Sequence, residues 1–211
     1  MLSSRVKVFI VTAYARWHAF ILRCRGVQVG KGTNIVGCPR IKISKGASII
    51  IGADVCLNSN LYLAPLITHA VGLYACRNGA QIVLKDHCGI SGALLLCKSR
   101  ISVGEYTFIG PGTVINDSEG HTFSKEYGWA TPGEKPGRPI SIGDKCFIAG
   151  GCTILSGVTI GDRCLISAGT VLKCDVPAGH MASGNPAVIT PLPKILGGPG
   201  RKKIATTSTS E

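Results

Sequence analysis

The chain has 211 residues and a mass of 22.0 kDa, room for one compact domain with short appendages. With 45% hydrophobic and 16% charged residues it is not a disordered chain, and with 28 Gly and 11 Pro but no three-residue period it is neither collagen nor a helical bundle. Part of the net charge of +12 is unopposed, because Arg5, Lys7, Arg16, Arg23, Arg25, Lys31, Arg40, Lys42 and Lys45 all precede the first acidic residue, Asp54. Such a block suits lipid headgroups, nucleic acid or phosphorylated metabolites, or is simply a solvated basic surface. The cysteines contain no CxxC and no small-scaffold spacing, which points to free thiols in a reducing compartment.

Residues 1–26 read as a basic amphipathic helix. Val6, Ile10, Ala13, Trp17 and Ile21 share one face, with Phe9, Tyr14 and Phe20 at its margins and basic residues on both flanks. Arg16, His18 and Arg23 interrupt the apolar run before it reaches the length that spans a bilayer. A signal peptide is disfavoured, because the helical pattern runs straight through the small-residue cleavage point. The helix either lies in a membrane interface or packs over the end of the following domain, and the two are compatible.

Residues 27–177 carry a period of six. Ile142, Ile148, Ile154, Ile160, Ile166 and Leu172 recur at that interval in IGDKCF, IAGGCT, ILSGVT, IGDRCL and ISAGTV. Earlier matches are IGADVC at Ile51, LKDHCG and ISGALL through Leu84, Ile90 and Leu96, then VGEYTF and IGPGTV through Val103, Ile109 and Ile115. The phase is expected to slip between Leu96 and Val103. A six-residue period predicts a parallel β-helix with three hexads per triangular coil. The first position then fills the interior, the small residue after it helps the chain turn, and the fifth position points inward and must be small. Val55, Cys88, Thr107, Thr113, Cys146, Cys152, Val158, Cys164 and Thr170 occupy that fifth position. Four cysteines thereby become core residues, whereas Cys76, Cys97 and Cys174 take no role.

Two stretches interrupt the hexads and are expected to be functional loops, residues 60–79 and 117–139. The second contains Asp117, Glu119, His121 and Trp129, and a histidine where a coil opens into a loop is either a general base or an ordinary surface residue. Residues 178–196, rich in Pro, should form an irregular C-terminal extension, and 197–211 a disordered tail.

The run PISIGDKCFIAGGCTILSGVTIGDRCLISAGTVLKCDVPAGHMASGNPAVI resembles the C-terminal half of bacterial hexapeptide-repeat acyltransferases. RNGAQIVLKDHCGISG and IGPGTVINDSEGH resemble the branch that O-acetylates sugars of surface polysaccharides. The resemblance covers about residues 25–190. It implies a left-handed parallel β-helix, usually a homotrimer, that uses acetyl-CoA as co-substrate. It places the catalytic base on His121 and the acceptor contacts on Ser91, where relatives often carry Asn, with Asn116, Asp117 and Trp129 nearby. It puts the thioester-facing backbone N–H on Gly150 and a pantetheine contact on Ala168.

Two features depart from the resemblance. The Lys usually found after the last full coil is displaced to Lys173, and Asn185-Pro186-Ala187 is followed by Val188 rather than a basic residue. CoA phosphates would then meet Lys173, Lys194 or the Arg201-Lys202-Lys203 cluster. The histidines offer no HxxxxH pair for the zinc chemistry of a related β-helix family, so no metal is expected, and no helix suits nucleic acid. The expectation is a cytoplasmic O-acetyltransferase, peripheral on the inner membrane, acting on a surface polysaccharide or its lipid-linked precursor. An acetyltransferase for a small soluble acceptor such as an antibiotic or amino sugar, and a catalytically silent β-helix scaffold, are the alternatives.

Overall fold

The structure, a computed structural model, describes residues 14, 17–60, 69–126, 128–130 and 137–193. They form a left-handed parallel β-helix whose short strands stack on three faces. The first face stacks Gln28–Val29, Ser48–Ile51, Gln81–Leu84, Arg100–Val103, Ile140–Ile142 and Thr159–Ile160. The second stacks Asn34–Val36, Cys56–Asn58, Gly89–Ser91, Phe108–Ile109, Phe147–Ile148 and Leu165–Ile166, then His180–Ser183 and Val188–Pro191. The third stacks Arg40–Ile43, Gly72–Ala75, Leu94–Cys97, Val114–Asn116, Thr153–Ile154 and Val171–Leu172. The chain visits the faces in that order, and each circuit is one coil.

The six-residue period is the period of the interior. Ile142 pairs with Ile160, Ile148 with Ile166 and Ile154 with Leu172, all buried. Every fifth-position residue named above is buried as well. Those that are Thr, and all the cysteines but Cys88, also donate hydrogen bonds. The thiols of Cys146, Cys152 and Cys164 reach the carbonyls of Gly161, Ser167 and Pro177 on the next turn of chain at 3.0, 3.1 and 3.1 Å. The hydroxyls of Thr107 and Thr113 do the same to Gly143 and Ala149 at 2.7 and 3.0 Å. The position selects for small size and for a donor to a corner carbonyl that would otherwise go unpaired.

Several sequence expectations shift. The slip expected between Leu96 and Val103 is present, since eight residues separate the inward Leu95 from Val103, and a second one lies at Gly92: Ile90 and Leu95 face inward while Leu96 faces out. The corner there is one residue shorter, and the slip puts Cys97 inside. The first interruption is shorter than residues 60–79, because Val71, Leu73 and Ala75 alternate into the core and Gly72–Ala75 is a strand. The second interruption carries an antiparallel hairpin, Thr122–Ser124 with Gly128–Ala130. The C-terminal extension is not irregular: His180–Ser183 continues the second face and Val188–Pro191 pairs antiparallel with it. That reversed strand covers the last parallel edge, which would otherwise invite pairing with another chain.

Tyr14 and residues 17–24 are helical, whereas 1–13, 15 and 16 lie outside the described residues. The buried side of this helix is Ala19 and Leu22, which join the solenoid core. Trp17, placed on the apolar face by the sequence, is exposed together with Tyr14 and Phe20. Arg23 donates to the Val29 carbonyl at 2.8 Å and Arg25 to that of Ile41 at 2.7 Å, so these arginines fasten the helix to the first coil. No described helix is long and apolar enough to cross a membrane.

Candidate active site

The corners of the prism differ in how they treat the backbone. At the first corner, between the first and second faces, coils approach so closely that a Cβ on Gly104 or Gly143 would come within 2.3 or 2.4 Å of the coil beyond. The glycine after the interior aliphatic is required there by stacking, not by turn conformation. The amides that follow are capped by carboxylates of the next coil. Asp86 accepts from Ala53 N–H at 2.8 Å, Asp144 from Glu105 N–H at 2.9 Å, and Asp162 from Asp144 N–H at 2.8 Å. The Asp144 carboxyl is held below the usual carboxylate range, chiefly by the Glu105 N–H and secondarily by Lys85. Asp54, His87, Tyr106, Lys145 and Arg163 complete the corner with positive φ and outward side chains.

At the second corner, between the second and third faces, the corresponding residues are Gly112, Gly151 and Gly169, with φ of 73°, 70° and 70°. Crowding does not demand glycine at these sites, since a Cβ would meet nothing closer than 3.7 Å. No side chain stands outward at these three positions. The preceding positions are Pro111, Gly150 and Ala168 in successive coils. Proline has no N–H, and the N–H groups of Gly150 and Ala168 donate to no acceptor among the described residues. Two free amides therefore sit one above the other, roughly 4.8 Å apart, on an edge stripped of side chains. Such a pair can hold a carbonyl or developing oxyanion. These are the two residues that the sequence resemblance assigned to cofactor contacts. Ser91 precedes Gly92 on the same corner, is partly exposed, and is paired in register with Asn58.

The loop carrying His121 leaves from the opposite edge of the third face. Asn116 begins it as an Asx turn, its Oδ1 accepting from the N–H and the hydroxyl of Ser118, both at 3.1 Å. Asp117 is not on the surface. It is fully buried, and its carboxylate accepts from Lys98 N–H and Ser99 N–H at 2.7 Å each. Its Oδ2 also receives the Cys97 thiol at 3.4 Å, and its carbonyl receives Arg138 N–H at 2.7 Å. An acceptor contact from Asp117 is thereby corrected: it ties the two ends of the loop to the preceding coil. Burial, then the neighbouring Asp117 charge, push the Cys97 thiol up to about 12. Cys97, left without a role by the sequence, is a buried donor to that anchor.

His121 itself is exposed and makes no hydrogen bond or ion pair among the described residues. Glu119, two residues earlier, lies 3.5 Å from Arg138, close to the edge where the loop ends. In the hairpin that follows, Phe123 and Trp129 face each other edge-on at 5.7 Å and are 67% and 75% exposed. Lys173 is exposed at the end of the last third-face strand, across that face from Gly150 and Ala168. Lys194, Arg201, Lys202 and Lys203 lie outside the described residues. The structure therefore joins Ser91, Gly150 and Ala168 along one corner, and sets His121, Asn116 and Lys173 on the other edge. Five residue steps of extended chain, from Gly112 to Asp117, separate the two, roughly 15 Å. The aspartate ladder and the bare corner escaped the sequence reading. The ladder's signal was the third hexad residue, Asp in LKDH, IGDK and IGDR; the bare corner's was the fourth, glycine in IGPG, IAGG and ISAG but Asp, His, Tyr, Lys or Arg in IGAD, LKDH, VGEY, IGDK and IGDR. No group of three or more His, Cys, Asp or Glu placed to hold a metal occurs among the described residues.

Residues 139–174 match the family model for bacterial transferase hexapeptide (six repeats). Nodulation protein L of Rhizobium leguminosarum bv. viciae is 43% identical over 111 residues, 53% of this chain and 54% of that protein. The chain thus spans about half the length of that relative, and 61% of nodulation protein L from Rhizobium meliloti (strain 1021). The putative colanic acid biosynthesis acetyltransferase WcaF of Escherichia coli (strain K12) is 27% identical over 174 residues, 82% of this chain and 74% of that protein. Among solved structures, AntD, an N-acyltransferase from Bacillus cereus in complex with dTDP and 3-hydroxybutyryl-CoA, shares the fold with a TM-score of 0.62. Its identity is 15%, over 84% of this chain and 90% of that one.

Proposed function

We propose, for a chain whose residues 139–174 match the bacterial transferase hexapeptide model, that it is an acetyl-CoA-dependent O-acetyltransferase acting on a sugar hydroxyl of a surface polysaccharide or its lipid-linked precursor. The observation that carries the reading is the pair of undonated N–H groups of Gly150 and Ala168 on an edge without side chains. The naming of one relative for colanic acid biosynthesis, and the acyl-CoA in the AntD complex, support the sugar and the donor.

In this mechanism His121 removes the proton of the acceptor hydroxyl as its oxygen attacks the thioester carbonyl carbon. The carbonyl oxygen becomes an oxyanion that accepts the Gly150 N–H. When the C–S bond breaks, the CoA sulfur leaves and takes the proton back from His121, so no covalent enzyme intermediate forms. Ser91 contacts the acceptor and Ala168 the pantetheine arm.

The homotrimer belongs to the same proposal. His121 and Gly150 stand on opposite edges of one face, roughly 15 Å apart, so one acyl group meets both only if a second copy brings its edge alongside. The second face offers an apolar stripe for that contact. Phe108 and Phe147 are register partners and about half exposed, and Leu165 and Met181 continue their column. We place the protein in the cytoplasm at the inner membrane surface, with the outward Tyr14, Trp17 and Phe20 in the interface. Deleting residues 1–24 is expected to release it from anionic vesicles.

Calorimetry with acetyl-CoA and slow acetyl-CoA hydrolysis, in wild type and His121→Ala, test the assignment. Binding in both, with turnover about 10²–10⁴-fold lower in the variant, is the expected result. Absence of binding at millimolar acetyl-CoA would leave a silent scaffold.

A further inference from the structure

A groove runs along the first coils of the third face, at the end nearest the helix, and the acetyl-transfer chemistry above makes no use of it. It consists of two adjoining hollows of about 710 and 320 Å³ that share Arg40, Ala70 and Tyr74. The larger is walled by Arg25, Arg40 and Lys42, with no carboxylate among its walls. The smaller follows the column Arg40–Gly72–Leu94–Val114, register partners on successive coils, and ends at Gly92 and Gly112 on the bare corner. Gly72 keeps the column open. A Cβ there would come within 2.6 Å of Leu94 Cδ1, and any larger side chain would stand between Arg40 and Leu94.

The charge in the larger hollow is uncompensated among the described residues. The ion pairs among the described residues are Lys85–Asp144, His87–Asp54 and Arg138–Glu119, and none involves the groove. Arg25 uses one N–H on the Ile41 carbonyl at 2.7 Å, which fixes its guanidinium at the rim and leaves further donors. Arg40 and Lys42 are exposed. Three cations held around one concavity repel one another, and a multiply charged anion relieves this. The guanidinium fork and the ammonium point charge both suit phosphate oxygens. The second hollow has different walls, Tyr74, Ala93, Leu94 and Val114, and leads from the cationic end towards the coil of Pro111 and Gly112.

We propose that this groove binds the phosphate or diphosphate of a glycosyl acceptor, the phosphate at Arg25, Arg40 and Lys42 and the sugar directed along Tyr74 and Leu94 to the bare corner. The sugar half rests on the acetyltransferase reading; the anion half stands on the groove alone. A phosphate of this kind reaches the groove on an apolar lipid carrier or on a soluble nucleotide, and the two sources are separable by experiment.

The test is titration calorimetry without acetyl-CoA, using inorganic diphosphate on wild type, Arg40→Gln/Lys42→Gln, Lys42→Gln and a control, Lys45→Gln, on the same coil outside the groove. The double variant should bind diphosphate at least about ten-fold more weakly and the single one about three-fold, with the control unchanged. Wild-type affinity should fall steeply with added salt. Equal affinity in wild type and both variants, or no binding at millimolar diphosphate, overturns the proposal. Should the double variant fail to fold, Lys42→Gln and the salt series decide it. Farnesyl diphosphate in mild detergent binding more tightly than inorganic diphosphate identifies a lipid carrier, and UDP-glucose doing so a soluble one. Diphosphate binding in a protein that never turns over acetyl-CoA keeps the groove and removes the acetyltransferase reading. Acetyl transfer to sugars without diphosphate binding does the reverse.

Discussion

The first and second corners of the solenoid make the same turn by different means. At the first, Asp86, Asp144 and Asp162 cap amides of the preceding coil, and residues as bulky as Tyr106 and Arg163 stand outward at positive φ. At the second, glycine takes the same backbone conformation and the amides of Gly150 and Ala168 are left open. The fold does not need its second corner bare, because the first shows that side chains are tolerated in that geometry. One corner spends its polar groups on holding coils together, and the other leaves them available for a ligand.

The largest expected effect comes from closing the open amides. Ala168→Pro deletes an N–H at a position whose counterpart one coil away from Gly150 is already Pro111, so the backbone should accept it. Acetyl transfer should drop about ten-fold or more while the melting temperature stays near wild type. A variant that transfers acetyl at the wild-type rate would break the contrast between the corners. Asp162→Ala at the first corner should do the opposite. It uncaps Asp144 N–H and should cost about 1 kcal/mol of stability by urea unfolding, with acetyl-CoA affinity unchanged.

Acid should weaken the first corner. The Asp144 carboxyl is lowered in the folded protein, so its contribution is present above the unfolded value and is lost as pH falls through the folded one. Thermal melts from pH 7 to 3 should lose part of their slope in Asp144→Asn. Base acts on the core instead. Cys97 and Cys88 are raised to about 12, both mainly by burial. Folded-state stability is therefore full below the thiols' ordinary value and declines as pH rises from roughly 9 towards those raised values. Melts at pH 7 and 10 should show this decline, reduced in Cys97→Ala relative to its own pH 7 value. The smallest effect should come from exchanging corner residues. Lys145→Gly should leave stability within about 0.5 kcal/mol. Gly169→Asn, which meets no atom within 4 Å, should fold yet weaken acetyl-CoA binding, read by calorimetry.

Much of the solenoid was legible in the sequence because its interior repeats at one period: Ile142 to Leu172 could be placed without any structure. The reading failed where residues were locally degenerate. Leu94, Leu95 and Leu96 are all leucine, so hydrophobicity could not say which faced inward, and the short corner at Gly92 was missed. Gly72–Ala75 lies beyond an insertion and has no hexad on its N-terminal side to set its phase. In the helix, spacing put Trp17 and Ile21 on the apolar face, while Ala19 and Leu22 are the residues that fit against the first coil. At the candidate site, Gly150 and Ala168 were reachable through family resemblance. Asp117 was not distinguishable from a surface acid, because only tertiary contact turns its carboxylate toward Lys98 and Ser99. The groove of Arg25, Arg40 and Lys42 was visible only as unopposed charge.

Stacking in strict register also makes the solenoid a ruler. Arg40, Gly72, Leu94, Val114 and Thr153 are register partners on five successive coils, and each step measures about 4.8 Å, so the cationic groove and the coil of Gly150 lie about 19 Å apart. Hydrogen bonds between coils hold that distance against thermal motion far better than a loop or hinge could. An acceptor gripped by its phosphate at one end would present for acetylation the hydroxyl that falls at that height. Selection among otherwise similar hydroxyls would then be a matter of length, set by the number of coils in between, and inserting or deleting one coil would move the reaction by one step along the glycan.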